Sequence, residues 1–360
     1  MRTVSVLRTL TQHLRRHMTH GVMALTLTLA IFVLALAQSP TCHLSTLALH
    51  MPVPGQRENL IQRLRRWLAS PRVDWDRYYR PLVQHVLDTW TGAEIALVMD
   101  RTDLNDRFSI LCIGLATHHR VVLLAWEVLP YGSTDAATQI RLLQRIAPLL
   151  PDPAVRRIVL YGDAEFRAVD VQAYCREHGW QWHVGVKSDT RYRAPDGTWQ
   201  PLRSIPIAPG QRRYIQDIIL TEQHAFGPVN LIIDWNPNET APRYWVLDQP
   251  ANRHAWRRGR KRFWIEPTNR DFKGAGFDLE HSGLIDAERL STLILAMAVT
   301  WLWMAFIGQW VIRHGLRTRL EAPHKRDYSL FRLGRDWVQR ALVMGWHIPV
   351  GFTVRPPAPD

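Results

Sequence analysis

The spacing of apolar and polar residues changes character near residue 90. Before that point apolar positions recur with helical spacing, most clearly in residues 57–68, where arginines occupy the opposite face. From Ala93 onward, short apolar runs bounded by turn residues replace this spacing, as is typical of buried strands. The strand-like runs fall at 94–99, 108–117, 120–129, 157–162 and 181–187, and predicted helices fall at 136–148 and 167–178.

The order of these elements predicts the fold class. Three successive strands, followed by helix, strand, helix and strand, indicate an α/β protein with a mixed sheet flanked by helices on both faces. Between residues 191 and 255, turn pairs such as Asp196-Gly197 separate short alternating runs, which predicts a β-rich insertion. Beyond Arg313 the chain is basic and contains a further amphipathic helical pattern from Leu330.

Three carboxylates stand out against this pattern. Asp100 and Asp163 each follow a predicted buried strand, where a rigid sheet can hold a side chain in a fixed place. Glu266 lies four residues after Arg262 and seven before Lys273, so on a helix the three would share one face. Three carboxylates without a neighbouring His or Cys ligand pattern favour hard cations, namely Mg²⁺ or Mn²⁺.

These motifs resemble DDE transposases of the insertion sequence 4 family. The spacing Arg262-x3-Glu266-x6-Lys273 is similar to part of that family's signature, and Gly259 stands where the family usually has a tyrosine. The other matching segments, in chain order, are Asp100-Arg101-Thr102, Asp163-Ala164-Glu165-Phe166 and Gly276-Phe277-Asp278-Leu279-Glu280.

The resemblance implies an RNase H-like catalytic core with a β-rich insertion and an N-terminal helical domain. The implied domains are a helical DNA-binding domain at 1–90, the first part of the core at 91–190, the insertion at 191–255, the rest of the core at 256–312 and a C-terminal helical tail at 313–360.

The resemblance also implies the chemistry. Asp100, Asp163 and Glu266 would be the catalytic acids and would bind two Mg²⁺ or Mn²⁺ ions, which support in-line phosphoryl transfer. Arg262 and Lys273 would hold DNA phosphates. The implied partners are element ends with inverted repeats, target DNA and a second copy of the chain in the synaptic complex.

The overall charge suits a polyanionic partner. The formal net charge is +13, and arginine supplies most of the positive charge. The densest basic run precedes Glu266, so we predict phosphate contacts there; a solvated charge run or arginine-rich codon usage would give the same composition. The predicted contacts in this run are Arg257, Arg258, Arg260 and Lys261.

Two tryptophans are candidates for contact with an unpaired base. Trp235 and Trp245 lie in the insertion, upstream of the basic run, and the family resemblance implies that an insertion tryptophan can receive a base by stacking. Packing in the core is the alternative role for both.

Two charge-free apolar segments raise the question of a membrane. Val22–Ala37 resembles a signal peptide and Leu290–Ile312 is long enough to span a bilayer. A helix that is apolar on all sides can also be a core helix. We predict core helices and a cytoplasmic protein without a membrane partner, and free thiols at the three widely spaced cysteines.

Three other functions remain open on sequence grounds. A nuclease of the same fold that cuts without joining would need the same acids. An inactive DNA-binding relative would be expected to lack one of them. A membrane protein would use the two apolar segments as spans.

Overall fold

The computed structural model describes residues 2–357, so the last three residues of the predicted C-terminal tail lie outside the described part. Its α-helices, in chain order, are α1 (Arg2–His17), α2 (Met23–Gln38), α3 (Leu44–Leu47), α4 (Arg57–Leu68), α5 (Trp75–Tyr78), α6 (Arg80–Asp88), α7 (Ala136–Ile146), α8 (Val169–Glu177), α9 (Arg253–Gly259), α10 (Ile265–Lys273), α11 (Ala287–Arg313) and α12 (Leu330–Met344).

The strands lie in a single ten-stranded mixed sheet with the order β3-β2-β1-β4-β5-β10-β9-β8-β6-β7. Strand β1 runs parallel to β4, and β4 runs parallel to β5, whereas the other neighbours are antiparallel. Their bounds are β1 (Glu94–Leu104), β2 (Phe108–Thr117), β3 (Arg120–Pro130), β4 (Arg157–Gly162), β5 (Gln181–Val186), β6 (Arg191–Arg193), β7 (Trp199–Pro201), β8 (Arg212–Leu220), β9 (Phe226–Asp234) and β10 (Arg243–Leu247).

This architecture confirms the predicted α/β fold with a mixed sheet flanked by helices. The central strands are buried on both faces, which explains why β1 and β4 are continuous apolar runs rather than alternating ones. The predicted β-rich insertion contributes β6 to β10. It extends the same sheet, because β10 pairs with β5 in antiparallel register.

The two apolar segments are both core helices. Helix α2 packs against α1, α11 and α12, and eleven of its sixteen residues are buried. Helix α11 is long and apolar enough to cross a membrane by composition, but 83% of its most apolar window is buried inside the protein. A helix enclosed by protein on most sides can be apolar all round without any lipid contact.

Candidate active site

Two of the three acids come from neighbouring parallel strands. The pairing of β1 with β4 reaches Val98 opposite Tyr161, and Asp100 and Asp163 each follow two residues later. Because parallel strands run side by side in one direction, this register brings both acids to the same edge of the β1–β4 pair. Asp100 lies within β1, which continues beyond it, and is only 7% exposed.

Asp163 is held by the turn that it begins. Its carboxylate accepts a hydrogen bond from the backbone N–H of Glu165 at 2.8 Å, at the start of the 3₁₀ turn Ala164–Phe166. This local bond fixes the direction of the side chain, which is 39% exposed.

Glu266 is in the first turn of α10, where a negative charge is favoured by the helix dipole. The following Pro267 is compatible with this place, because the first turn of a helix does not need its backbone N–H groups for internal hydrogen bonds. The predicted helix containing Glu266 is therefore present. Arg262 precedes it, in the 3₁₀ segment Arg260–Trp264.

Two side chains fix α10 against the sheet. The hydroxyl of Thr268 accepts from the backbone N–H of Val121 at 2.8 Å, and Thr268 is fully buried. Asn269 donates from Nδ2 to Oδ2 of Asp100 at 2.8 Å. The helix that carries the third acid is thus hydrogen-bonded directly to the first acid.

The three acids converge on one guanidinium group. Arg262 donates to Oε1 of Glu266 at 2.7 Å and to Oδ2 of Asp163 at 3.1 Å. Its Nη2 also lies 3.8 Å from Oδ1 of Asp100. The Arg262 side chain is only 16% exposed, so its charge is weakly screened by water and compensates the carboxylates around it.

The environment of Asp100 opposes ionisation. The pKa of Asp100 is raised from 3.8 to about 7, chiefly by burial and also by the neighbouring charges of Asp163 and Glu266, while Arg262 and Asn269 act in the opposite direction. A cation bound beside Asp100 would therefore favour its ionised form.

The donor chemistry of these acids fits hard divalent cations, since all of the converging ligand atoms are carboxylate oxygens. Within residues 2–357, however, no three Asp, Glu, His or Cys side chains stand at the spacing of a metal site. Arg262 lies among the three carboxylates and separates them. A metal site would need the same carboxylates after this guanidinium has withdrawn.

The basic run before Glu266 divides into exposed and internally bound side chains. Arg257 and Arg260 are exposed. Arg258 is half-buried and donates to the side-chain oxygen of Gln249. Arg257 and Arg260 therefore offer their charges to solvent, whereas Arg258 is engaged within the protein.

Both predicted lysine contacts are also paired within the protein. Lys261 donates to Oε1 of the buried Glu94 at 2.9 Å. Lys273 lies 3.1 Å from Oε1 of Glu280, on the segment that follows α10. Lys273 is the last residue of α10, whereas Glu266 is in its first turn. Its ion pair with Glu280 does not involve any of the three acids.

A cleft of about 1130 Å³ lies beside the 3₁₀ segment Arg260–Trp264. Trp245 lines it, whereas Trp235 is at the end of β9 and donates from Nε1 to the backbone oxygen of Glu239 at 2.9 Å. The cleft is rich in arginine and aromatic side chains, including Arg212, Arg243, Arg253, Trp256, Arg257, Arg260, Phe263 and Trp264.

Gly259 packs directly against His183, which also lines the cleft. A Cβ atom at residue 259 would stand 2.4 Å from Cε1 of His183, closer than real side-chain contacts allow. His183 is only 4% exposed. Burial, with a smaller effect from Arg258, lowers the pKa of its imidazole to about 3, so the ring is neutral. A tyrosine cannot replace Gly259 without displacing this ring.

Three residues of the site were not identified from the sequence. Asn269 lies three residues after Glu266, so a search of the helix face around that acid would have found it. Glu94 and His183 carry no comparable signal, because their partners are distant in the chain and become neighbours only when the sheet forms.

The mixed sheet thus brings two acids from adjacent parallel strands and a third from a helix to one place. Residues 105–303, more than half of the chain, match the family described as Transposase DDE domain. The chain belongs to this family, and it is a DNA transposase. The matched span contains Asp163 and Glu266, and Asp100 lies just before it. Enzymes of the family generally use divalent metal ions.

A solved structure agrees with this classification at the level of the fold. The chain is similar to the piggyBac transposase in a cryo-EM structure of its synaptic complex with hairpin DNA. The similarity has a TM-score of 0.50 at 9% sequence identity, and it covers 93% of this chain and 77% of that chain. No curated protein matches the sequence.

Proposed function

We propose that this chain is the transposase of an insertion element of the insertion sequence 4 group, which cuts and joins DNA through Asp100, Asp163 and Glu266. The supporting observation is the convergence of these acids from β1, β4 and α10 on Arg262. The three acids would hold two Mg²⁺ or Mn²⁺ ions. Bound there, the ions would activate the attacking oxygen and stabilise the leaving oxygen of a phosphodiester.

The protein's own side chains prepare this site in defined ways. Asn269 holds the Asp100 carboxylate, and the turn after β4 holds that of Asp163, so neither acid needs to be ordered when it binds a cation. Arg262 would release the acids when they bind a cation. Its planar guanidinium then suits bidentate contact with a phosphate near the cut.

The DNA would lie along the basic segment and the adjoining cleft. Arg257 and Arg260 are exposed and suited to phosphate contacts. Arg258 and Lys273 would have to exchange internal partners for phosphates. Trp245 lines the cleft and is the better placed of the two tryptophans to stack on an unpaired base; Trp235 would first have to leave its bond to Glu239.

The proposed partners follow from the reaction. They are element ends with inverted repeats, target DNA, and a second copy of the chain within a homodimeric synaptic complex. We place the protein in the bacterial cytoplasm, associated with the nucleoid, because its substrate is there and α11, which is long and apolar enough to cross a membrane, is mostly enclosed by protein.

The assignment of the three acids is tested by charge-removing substitutions of similar size. We expect Asp100→Asn, Asp163→Asn and Glu266→Gln each to reduce cleavage and joining of a duplex with an element end by at least about 10³-fold in Mg²⁺, while end binding remains. Calorimetric titration with Mn²⁺ should show weakened metal binding in each variant.

Asp170→Asn is the matched control, because Asp170 is an exposed acid in the first turn of α8. It should cleave and bind Mn²⁺ like the wild type. Full cleavage by any one of the three substituted proteins would contradict the assignment. Cleavage without joining by the wild type would identify a nuclease instead.

A further inference from the structure

Glu94 is a buried carboxylate outside the group of three acids. It is the first residue of β1, and its side chain is only 7% exposed. It accepts hydrogen bonds from Nζ of Lys261 at 2.9 Å, from Nη2 of Arg157 at 2.7 Å and from the hydroxyl of Tyr161 at 3.0 Å. A carboxylate removed from water needs such partners, because an unpaired buried charge is costly.

The donors belong to the elements that carry the active-site residues. Glu94 shares β1 with Asp100. Arg157 and Tyr161 are on β4, which leads directly to Asp163. Lys261 is the immediate neighbour of Arg262 in the 3₁₀ segment Arg260–Trp264. A single carboxylate therefore joins both catalytic strands to the segment from which Arg262 reaches all three acids.

We propose that Glu94 is a positioning residue that holds Lys261, and with it the Arg260–Trp264 segment, against β1 and β4. The proposal rests on the proposed function of the three acids. Lys261 is then an internal anchor, and Arg262 is placed by it. Without the anchor, the 3₁₀ segment keeps its covalent connection to α10 and the ion pairs of Arg262, but it loses the ion pair with Glu94 that attaches it to the start of β1.

The electrostatics favour an anchor over a DNA contact for Lys261. Burial raises the pKa of Glu94, but Lys261, Arg157 and the Tyr161 hydroxyl together lower it below its usual value, so the carboxylate is charged. If Lys261 moved to a DNA phosphate, the buried Glu94 carboxylate would keep only Arg157 as a cationic partner. Breaking a buried pair costs far more than an exposed phosphate contact returns.

The test compares Lys261→Gln with Arg260→Gln, its exposed neighbour in the same turn. Single-turnover cleavage at saturating DNA and the salt dependence of end binding are measured for both. We expect Lys261→Gln to slow cleavage by about 10–100-fold with an unchanged salt slope. Arg260→Gln, which removes a proposed phosphate contact, should lower the salt slope by roughly one unit. Lys261→Arg, which keeps the charge, should recover most of the rate.

Hydrogen exchange of backbone amides gives a readout that needs no activity. We expect faster exchange in residues 260–264 of Lys261→Gln and Glu94→Gln, with unchanged exchange in α11. A Lys261→Gln protein with a wild-type rate at saturating DNA and a salt slope reduced by one unit would overturn the proposal. If the wild type fails to cleave an element end, the proposed function fails, and the exchange measurement still decides whether Glu94 anchors the segment.

Discussion

Asp100 is held in a place where its charge is unfavourable. It is buried beside two other acids, and one guanidinium and one amide offset this only in part, so its pKa lies near 7. The folded chain disfavours the ionised carboxylate of Asp100, and a bound cation would stabilise that ionised form. The site is therefore suited to binding a cation. The cost to folding is the expected counterpart of a site prepared for function.

The loss of folding stability caused by the buried Asp100 carboxylate depends on pH. The folded-state pKa of Asp100 is above its unfolded value of 3.8, so the folded state binds the proton more tightly, and stability falls as pH rises from about 4 to about 7. In chelator, we expect Asp100→Asn to raise the free energy of unfolding at pH 8 by roughly 1–4 kcal/mol, and to have little effect at pH 4. Urea unfolding at both pH values measures this.

The more exposed Asp163 provides the comparison. Asp163→Asn should stabilise the protein less, because its carboxylate is 39% exposed and retains much of its hydration. Addition of Mg²⁺ should stabilise the wild type and leave Asp100→Asn almost unchanged. An Asp100→Asn protein that is less stable than the wild type at pH 8 would show that the lost contacts with Asn269 and Arg262 outweigh the relief of burial.

At the level of elements, the sequence predicted those helices and strands that a short local pattern of residues determines. The apolar runs identified β1 and β4, although β1 continues through Asp100 instead of ending before it. The spacing around Glu266 identified the helix that carries this acid, although Arg262 lies in the 3₁₀ segment before that helix. The partners of Lys261 and Lys273 were not predictable in this way. Their carboxylates depend on how a 3₁₀ segment and a loop dock on the sheet, which no short window of sequence records.

The contact between α9 and β5 allows a direct test at Gly259. A Cβ atom there would meet the buried His183 ring, which has little room to move. We therefore expect Gly259→Ala to destabilise the protein by about 1–3 kcal/mol, although alanine is the better helix former. Urea unfolding at neutral pH is the measurement.

Gly274→Ala is the matched control, because a Cβ atom at residue 274 meets nothing within 4 Å. The double variant Gly259→Ala, His183→Ala should recover part of the lost stability relative to the sum of the single changes. Strict additivity of the two substitutions would show that the steric contact between α9 and β5 is not the cause.

At the scale of the whole molecule, the N-terminal helices and the catalytic sheet share one core. Buried side chains of α2 belong to the same apolar cluster as those of β1, β4 and α11. The sequence left two roles open for the apolar N-terminal segment, because a signal peptide and an enclosed helix have the same composition. The packing of α2 against α11 and α12 identifies it as an enclosed helix. This packing joins segments that are about 250 or more residues apart in the sequence, so no local pattern predicts it.

The last prediction follows from this shared core. Helix α2 buries six large apolar side chains, each contributing roughly 1.5–3 kcal/mol, which together rival the 5–15 kcal/mol stability of a typical domain. A chain beginning at Gln38 should therefore be insoluble or unfolded, and intact-mass measurement of protein expressed in a bacterial host should show that residues 22–37 are retained. The six side chains are Leu29, Ile31, Phe32, Val33, Leu34 and Leu36.

A pair of substitutions within α2 separates a core helix from an export signal. Phe32 is fully buried and packs edge-on against Trp67, whereas Met23 is 49% exposed. A carboxylate at residue 32 would have neither water nor a charged partner, so Phe32→Asp should abolish the cooperative thermal transition. Met23→Asp should leave it nearly unchanged, because its carboxylate is hydrated and lies at a helix N-terminus. A folded, active product that begins at Gln38 would show instead that α2 is dispensable, and that the apolar segment acts as a cleaved signal.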